Sequence, residues 1–242
     1  AAALAGRAVS RMQTFGTSPG LDWQAHDLEA DATSTRFRVR FKGEHFGEFI
    51  VPLLGAHNVR NALAAVAVAT EVGIDRTRIH DGLKSFAGVK RRLEIWGVAD
   101  GVTVYDDFAH HPTAVAETLN GLRAANPSAR IWAVFEPRSA SSCRRVFQAD
   151  FARAFGAADE VLIAPVFRST LPEPERLSVS ELVSDLTCAG QSAHASASLD
   201  EIVTTIVREH RPGDLVVLMS NGGFGGIHGK LLAALSADAQ TR

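Results

Sequence analysis

The strongest constraint on this chain is a rhythm that begins near residue 102. Short apolar runs at Val102–Tyr105, Ile131–Phe135, Val161–Ala164 and Leu215–Met219 alternate with helix-length segments. Those segments are Pro112–Ala125, Arg144–Phe155, Val179–Leu186, Leu199–Glu209 and Gly226–Leu235. A strand that runs parallel to its neighbour needs a crossover connection, and a helix is the usual one. The runs are apolar at nearly every position rather than at alternate ones, as in strands covered from both sides. The pattern predicts an α/β domain with a mostly parallel sheet and helices on both faces. Leu93–Val98 and Val102–Tyr105 flank Asp100-Gly101, which reads as a hairpin turn.

Upstream the pattern is different. Arg36–Lys42 alternates Phe37, Val39 and Phe41 with charge, the period-two signature of a half-buried strand, and His45–Val51 is its expected partner across Gly43. Asn58–Val72 is almost pure Ala, Val and Leu, so a helix buried on most sides is expected, stopping at Gly73. A second helix is expected over Arg76–Phe86. The first forty residues show a loop at Gly16–Gly20 and little else. The charged Lys90-Arg91-Arg92 marks an expected domain boundary, dividing the chain into 1–89 and 90–242.

Composition narrows the class. At 242 residues and 46% hydrophobic, the chain can bury a substantial core. Its 25 Lys+Arg against 27 Asp+Glu argue against a basic nucleic-acid surface. No apolar run is long enough to cross a bilayer, and no charged segment leads into a signal-like apolar one. Cys143 and Cys188 cannot build a disulfide framework at this size, which favours a reducing compartment. A soluble cytoplasmic protein is expected. The opening Ala-Ala-Ala-Leu-Ala lacks Met and the first stretch holds no complete supersecondary unit, so a piece of a longer protein is expected.

In open parallel sheets, ligands bind beyond the carboxyl ends of the strands. The four apolar runs lead into Asp106-Asp107-Phe108-Ala109-His110-His111-Pro112, Glu136-Pro137-Arg138-Ser139, Pro165-Val166-Phe167-Arg168, and Ser220-Asn221-Gly222-Gly223-Phe224-Gly225-Gly226-Ile227-His228. Each has a bland reading alone, since aspartates cap helices and Pro112 suits a first helical turn. Together they bring acids, imidazoles and glycines to one edge of one sheet.

Several other readings fail on spacing. A phosphate loop G-x-x-x-x-G-K-[ST] would need Gly at position 224 and Ser or Thr at 231, where the chain has Phe224 and Leu231. A dinucleotide fingerprint fails because His228 stands where glycine should, which disfavours a nicotinamide dehydrogenase. What survives is bare backbone entering a helix, suited to an anion. His110-His111 with Asp106-Asp107 lacks a further cluster at metal-ligand spacing, so no resident metal is expected. Ser141-Ser142-Cys143 lacks a nucleophile elbow, and Cys188 is expected to pack at a helix end.

Three motifs in order resemble the ATP-dependent Mur ligases, which build bacterial cell-wall peptides through an acyl phosphate. They are Gly55-Ala56-His57-Asn58-Val59-Arg60-Asn61-Ala62-Leu63-Ala64-Ala65, Lys90-Arg91-Arg92-Leu93-Glu94, and the segment Asp106 to Thr113. The resemblance runs from about Pro52 to the C-terminus. It implies the end of a central ATPase domain followed by a Rossmann-like C-terminal domain. It also implies roles residue by residue. Asn58 and Asn61 would approach adenine, Arg92 would reach the ATP phosphates, Asp107 would accept ribose hydroxyls, and Phe108 would pack on the nucleotide. His110 would sit near the phosphates and the forming bond, making His110 and Arg92 the catalytic candidates. Arg138, Ser139, Ser220, Asn221, Gly222, Gly223 and His228 would hold the incoming peptide.

Phe135-Glu136-Pro137-Arg138-Ser139 and Met219–His228 look most like the family branch that joins UDP-N-acetylmuramate to L-Ala-γ-D-Glu-meso-diaminopimelate. The alternatives are the branch that adds L-alanine and a non-catalytic α/β binding module. The family's UDP-sugar domain, its phosphate loop and its magnesium-managing residues have no counterpart in these 242 residues. ATP and Mg2+ are therefore implied for a longer protein, and the chain alone is expected to bind nucleotide weakly and not to ligate.

Overall fold

The structure, a computed structural model, describes residues 8–167 and 170–241. The Ala1–Ala5 opening and Arg168, both singled out in the sequence, lie outside the described residues. The chain divides into two compact units, 1–88 and 89–242.

The first unit is a four-stranded sheet in the order β1-β2-β3-β4 with two helices. The strands are β1 (Phe15–Gly16), β2 (Trp23–Ala30), β3 (Thr35–Phe41) and β4 (Glu44–Val51). β1 joins β2 in parallel and the remaining pairs are antiparallel. β3 alternates buried Phe37 and Val39 with exposed arginines, as its pattern predicts. β2 escaped the sequence reading because only Trp23 and Ala25 on it are buried, and a bulge between His26 and Glu29 breaks the alternation.

Helix α1 (Ala56–Glu71) sets Val59, Leu63 and Val66 into a core with Trp23, Phe37 and Phe49. Its expected burial on most sides is not observed: Val68 is 64% and Val72 70% exposed. The sheet covers one stripe only, and the remaining Ala and Val positions report helix propensity and composition rather than burial. Helix α2 (Arg76–Lys84) starts where the Asp75 side chain accepts from the Thr77 amide at 2.9 Å.

The second unit is a six-stranded sheet in the order β5-β6-β10-β7-β8-β9. Its strands are β5 (Glu94–Ala99), β6 (Val102–Asp107), β7 (Ile131–Phe135), β8 (Glu160–Ile163), β9 (Ser192–Ala195) and β10 (Leu215–Met219). β5 is the antiparallel hairpin partner of β6, and all other pairs are parallel. The helices are α3 (Pro112–Ala125), α4 (Gln148–Ala154), α5 (Val179–Cys188), α6 (Leu199–Glu209) and α7 (Ile227–Thr241).

Successive strand residues face opposite sides. Trp132, Val134, Val216 and Leu218 pack with Ile202 and Ile206 of α6 and Ile227 and Leu231 of α7. On the other side, Phe135 meets Phe151 and Phe155 at 5.0 and 5.7 Å between ring centroids. Every residue of β7 and β10 is buried, which is why both read as unbroken apolar runs.

The expected helix over Arg144–Phe155 is split into a 3-10 turn at Arg145–Phe147 and α4. β9 escaped notice because it is an edge strand with only Ala193 buried. Cys188 does end α5, but it is exposed rather than packed. No helix among the described residues is long and apolar enough to cross a membrane.

β10 lies between β6 and β7, with Met219 opposite both Asp107 and Phe135. Three loop-bearing strand ends are therefore adjacent. That arrangement builds the site.

Candidate active site at the strand ends

Because adjacent strand residues face opposite ways, the paired aspartates at the end of β6 part company. Asp106 turns toward α7, where Oδ1 lies 3.1 Å from His228 Nε2. Asp107 turns toward α3 and is 3% exposed. Its Oδ2 accepts from the Leu93 amide at 2.7 Å, and its Oδ1 accepts from the Ala109 amide at 2.7 Å and the Thr118 hydroxyl at 3.3 Å.

Arg91 joins three segments. Its Nη2 donates to the carbonyls of Ser220 and Gly222, both at 2.7 Å, and its Nε donates to Asp106 Oδ2 at 3.1 Å. Its carbonyl accepts from the Phe108 amide at 2.9 Å. The backbone bends sharply here, with φ of 61° at Arg91 and 49° at Leu93, a conformation non-glycine residues adopt at a cost. The bend sends Arg91 inward and leaves Arg92 exposed. Their guanidinium carbons lie 5.1 and 5.5 Å from the centroid of the Phe108 ring.

The second loop meets the glycine-rich loop through Glu136, which is 6% exposed and accepts from the Ser220 hydroxyl. The same hydroxyl accepts from the Gly222 amide at 3.0 Å. The Arg138 guanidinium lies over Phe167 of the third loop, 3.7 Å from the ring centroid, with Nη1 3.7 Å from Glu136 Oε1. A Cβ on residue 222 would fall 2.2 Å from Arg138 Nε, so any side chain there would push Arg138 out of its present position. Gly225, at φ 58°, leaves room for Leu199 in the same way.

The sequence reading singled out residues that the structure sorts into three groups. Arg92, Phe108, His110, Arg138, Asn221, Gly222 and Gly223 sit in the loops at the strand ends. His110 bonds through Nδ1 to the Phe108 carbonyl at 2.8 Å. A carbonyl only accepts, so Nδ1 carries the hydrogen and the neutral ring keeps its lone pair on Nε2.

Ser139, Ser220 and His228 lie deeper, at 8%, 1% and 5% exposed, with the two serine hydroxyls hydrogen-bonded inside the protein. Ser139 Oγ pairs with Ser142, and His228 lies between Asp106 and the Trp96 ring, whose centroid is 4.7 Å away. Asp107 Oδ1 already accepts two bonds, whereas Oδ2 accepts one, from the Leu93 amide, and keeps a lone pair for a further donor. Asn58 and Asn61 lie on α1 in the first unit, where Asn58 Nδ2 donates to the Leu54 carbonyl at 2.8 Å and Asn61 is exposed. Arg91 had no role in the sequence reading. Nothing one-dimensional separates it from Arg92.

The aspartates also titrate apart. Burial pushes Asp106 up, but His228 and Arg91 outweigh it and hold the carboxyl below its ordinary value. Burial raises Asp107, and the Ala109 and Leu93 amides, Arg92 and Thr118 offset that only in part. Asp106 therefore contributes stability above the ordinary carboxylate pKa that is lost as pH falls through its lowered value. Asp107 contributes stability at low pH that is lost as pH rises through its raised value. A carbon-detected NMR titration of the side-chain carboxyls is expected to show Asp107 protonating first on acidification. Coincident midpoints would contradict this account.

Chemically, the acids at this edge are enclosed and matched, whereas Arg92 is exposed and Arg138 is partly so. Guanidinium groups presented in this way offer paired donors that suit an anion.

Residues 91–222 match the family described as "Mur ligase, glutamate ligase domain", and residues 1–69 match "Mur ligase middle domain". The chain is 42% identical over 219 residues to the UDP-N-acetylmuramate–L-alanyl-γ-D-glutamyl-meso-2,6-diaminoheptandioate ligase of Escherichia coli K12, covering 90% of this chain and 46% of that protein. It is 36% identical over 217 residues to the UDP-N-acetylmuramate–L-alanine ligase of Desulfitobacterium hafniense, covering 89% and 48%.

Among solved structures, a murein peptide ligase from Psychrobacter arcticus superposes with a TM-score of 0.62 at 36% identity, over 92% of this chain and 46% of that one. The UDP-N-acetylmuramate–alanine ligase of Thermotoga maritima gives 0.77 at 22% identity, over 95% and 48%, a likeness of fold. The chain spans about half the length of the curated relatives it matches.

Proposed function

The chain belongs to the Mur ligase family, and from that premise we propose that it serves an ATP-dependent carboxylate–amine ligase joining UDP-N-acetylmuramate to L-alanyl-γ-D-glutamyl-meso-diaminopimelate. In this reading residues 1–89 are the closing part of the central ATPase domain and residues 90–242 are the C-terminal domain, within a cytoplasmic enzyme. The observation that carries it is the 42% identity to the Escherichia coli ligase over 90% of this chain.

ATP, when bound, would supply the phosphoryl group that activates the muramoyl carboxylate. The residues of the second unit fit its phosphates: Arg92 is exposed beside Phe108 and free to turn toward an anion. They do not fit its magnesium, because Asp106 and Asp107 are buried and engaged by Arg91, His228 and backbone amides. His110 presents Nε2 for a proton or a phosphoryl oxygen. The roles of Asn58 and Asn61 toward adenine stay with the first unit. Arg138, held against Phe167, would bind a carboxylate of the incoming peptide bidentately, beside Asn221 and the Gly222-Gly223 backbone.

The test is a ligase assay on a full-length protein that contains this sequence, with ATP, UDP-N-acetylmuramate and either the tripeptide or L-alanine. Tripeptide product is expected to dominate, and Arg138→Ala is expected to raise the tripeptide KM by roughly tenfold or more with a smaller effect on kcat. Faster turnover of L-alanine would favour the L-alanine ligase, whose relatives match at somewhat lower identity. Wild-type kinetics in Arg138→Ala would reduce that loop to scaffold. The 242-residue chain by itself, which has no phosphate-loop pattern, is expected to give no product.

A further inference from the structure

At the end of the second sheet opposite the candidate active site, three parts of the sequence meet. Asp100 lies in the β5–β6 hairpin, His210 in the loop between α6 and β10, and Asp238 near the end of α7. Each offers one metal-ligating atom, and the three atoms lie within 4.8 Å of one another. The His210 side chain is completely enclosed.

The hydrogen bonds say what His210 wants. Its Nδ1 lies 2.8 Å from the Val207 carbonyl, which can only accept, so Nδ1 carries a hydrogen. Its Nε2 lies 2.8 Å from Asp100 Oδ2. With Nδ1 carrying the hydrogen, Nε2 of a neutral ring aims a lone pair at the carboxylate, and two acceptors at that distance need a proton or a metal ion between them. A histidine whose far nitrogen donates to a backbone carbonyl is oriented as metal-ligating histidines are.

Two carboxylates with one imidazole balance the charge of a divalent cation and suit zinc, with water in the fourth position. The frame is tightly tied. Gly213 donates its amide to the Gly101 carbonyl at 2.9 Å, and a Cβ on Gly101 would fall 2.9 Å from Pro212.

We propose that Asp100, His210 and Asp238 form a divalent-cation site, best suited to Zn2+, that pins the hairpin and the α6–β10 loop to the end of α7. Zinc bonds of about 2.0–2.2 Å place tetrahedral ligand atoms roughly 3.3 Å apart. The Nε2–Oδ2 pair opens by about half an ångström to admit the ion. The site lies away from the exposed strand-end loops and has a structural role.

The experiment uses the tag-free 242-residue chain, stripped with EDTA, dialysed, and titrated with Zn2+ by calorimetry. Bound metal is counted by atomic spectroscopy after desalting. One equivalent is expected, with Kd below about 1 µM and a rise in thermal midpoint. Asp238→Asn, near the end of a helix, and His210→Asn are each expected to weaken binding at least tenfold. His80→Asn, at a half-buried histidine of the first unit, is expected to leave it unchanged. Co2+ in place of zinc is expected to give visible absorption bands that Asp238→Asn alters. Absence of stoichiometric zinc, or equal binding by wild type and Asp238→Asn, would show that a proton alone fills the cluster and would overturn the proposal.

Discussion

Replacing Arg91 with alanine is expected to destabilise the second unit by about 2–4 kcal/mol and to disorder the glycine-rich loop. Arg91 supplies the guanidinium donors for the Ser220 and Gly222 carbonyls and a charged partner for Asp106. Asp106 is 3% exposed, so losing the cation beside it leaves a buried carboxylate with the His228 ring as its neighbour. The estimate sits at the lower part of the buried-pair range because the Arg91 side chain is itself 30% exposed.

For a unit of this size, the loss corresponds to a fall in Tm of roughly 5–15 °C. Arg91→Lys should recover little of it, since one ammonium on a flexible stem cannot reproduce a fork that serves two carbonyls and a carboxylate. Hydrogen exchange is expected to accelerate at the amides of Phe108 and Gly222, whose partners the fork positions. Unchanged stability and exchange in Arg91→Ala would mean that the fork is ornamental.

The second large effect is expected at Trp132. The ring is 1% exposed in the core between β7, α6 and α7, with its Nε1 donating to Asp214 at 2.8 Å and the Arg130 guanidinium 4.5 Å from its centroid. Trp132→Ala is expected to cost about 3–5 kcal/mol, from lost apolar burial and the cavity left behind. It also removes one donor from Asp214 Oδ2, in a residue 2% exposed, leaving the Arg211 amide at 3.1 Å and Arg130 Nη1 at 3.6 Å.

Trp132→Phe separates the two contributions. It keeps most of the apolar volume and loses the hydrogen bond, so about 1–2 kcal/mol is expected. Urea unfolding of the three proteins measures both steps. Equal losses for Phe and Ala would assign the whole effect to the Asp214 bond.

The two units differ in how much of them the sequence discloses. Ile131–Phe135, Leu215–Met219, Pro112–Ala125 and Leu199–Glu209 were readable to the residue. Those strands are buried on both sides, and the helices begin at a Pro or just after a Ser cap. β1, β2 and β9 were not readable. They are short, bulged or at an edge, and their few buried side chains leave no periodic trace.

The candidate site was legible as loops and not as contacts. Asp106 and Asp107 announced themselves as a pair, yet the strand pleat sends one to His228 and the other to Thr118. Arg91 and Arg92 are identical letters side by side, and a positive φ at Arg91 decides which becomes the internal tie.

By itself the sequence determined the class of the second unit, most of its strands and helices, the four loops that follow its parallel strands, and the family. Those depend on local periodicity, on turn residues and on motifs, all of which are properties of neighbouring positions. Only the tertiary structure decided that β10 inserts between β6 and β7, that Ser139, Ser220 and His228 are enclosed, and that Asp100, His210 and Asp238 meet. Strand order and side-chain enclosure arise from contacts between residues up to 138 positions apart, as from Asp100 to Asp238. Periodicity along the chain carries no record of those contacts, because burial on a given face is satisfied equally well by several partners.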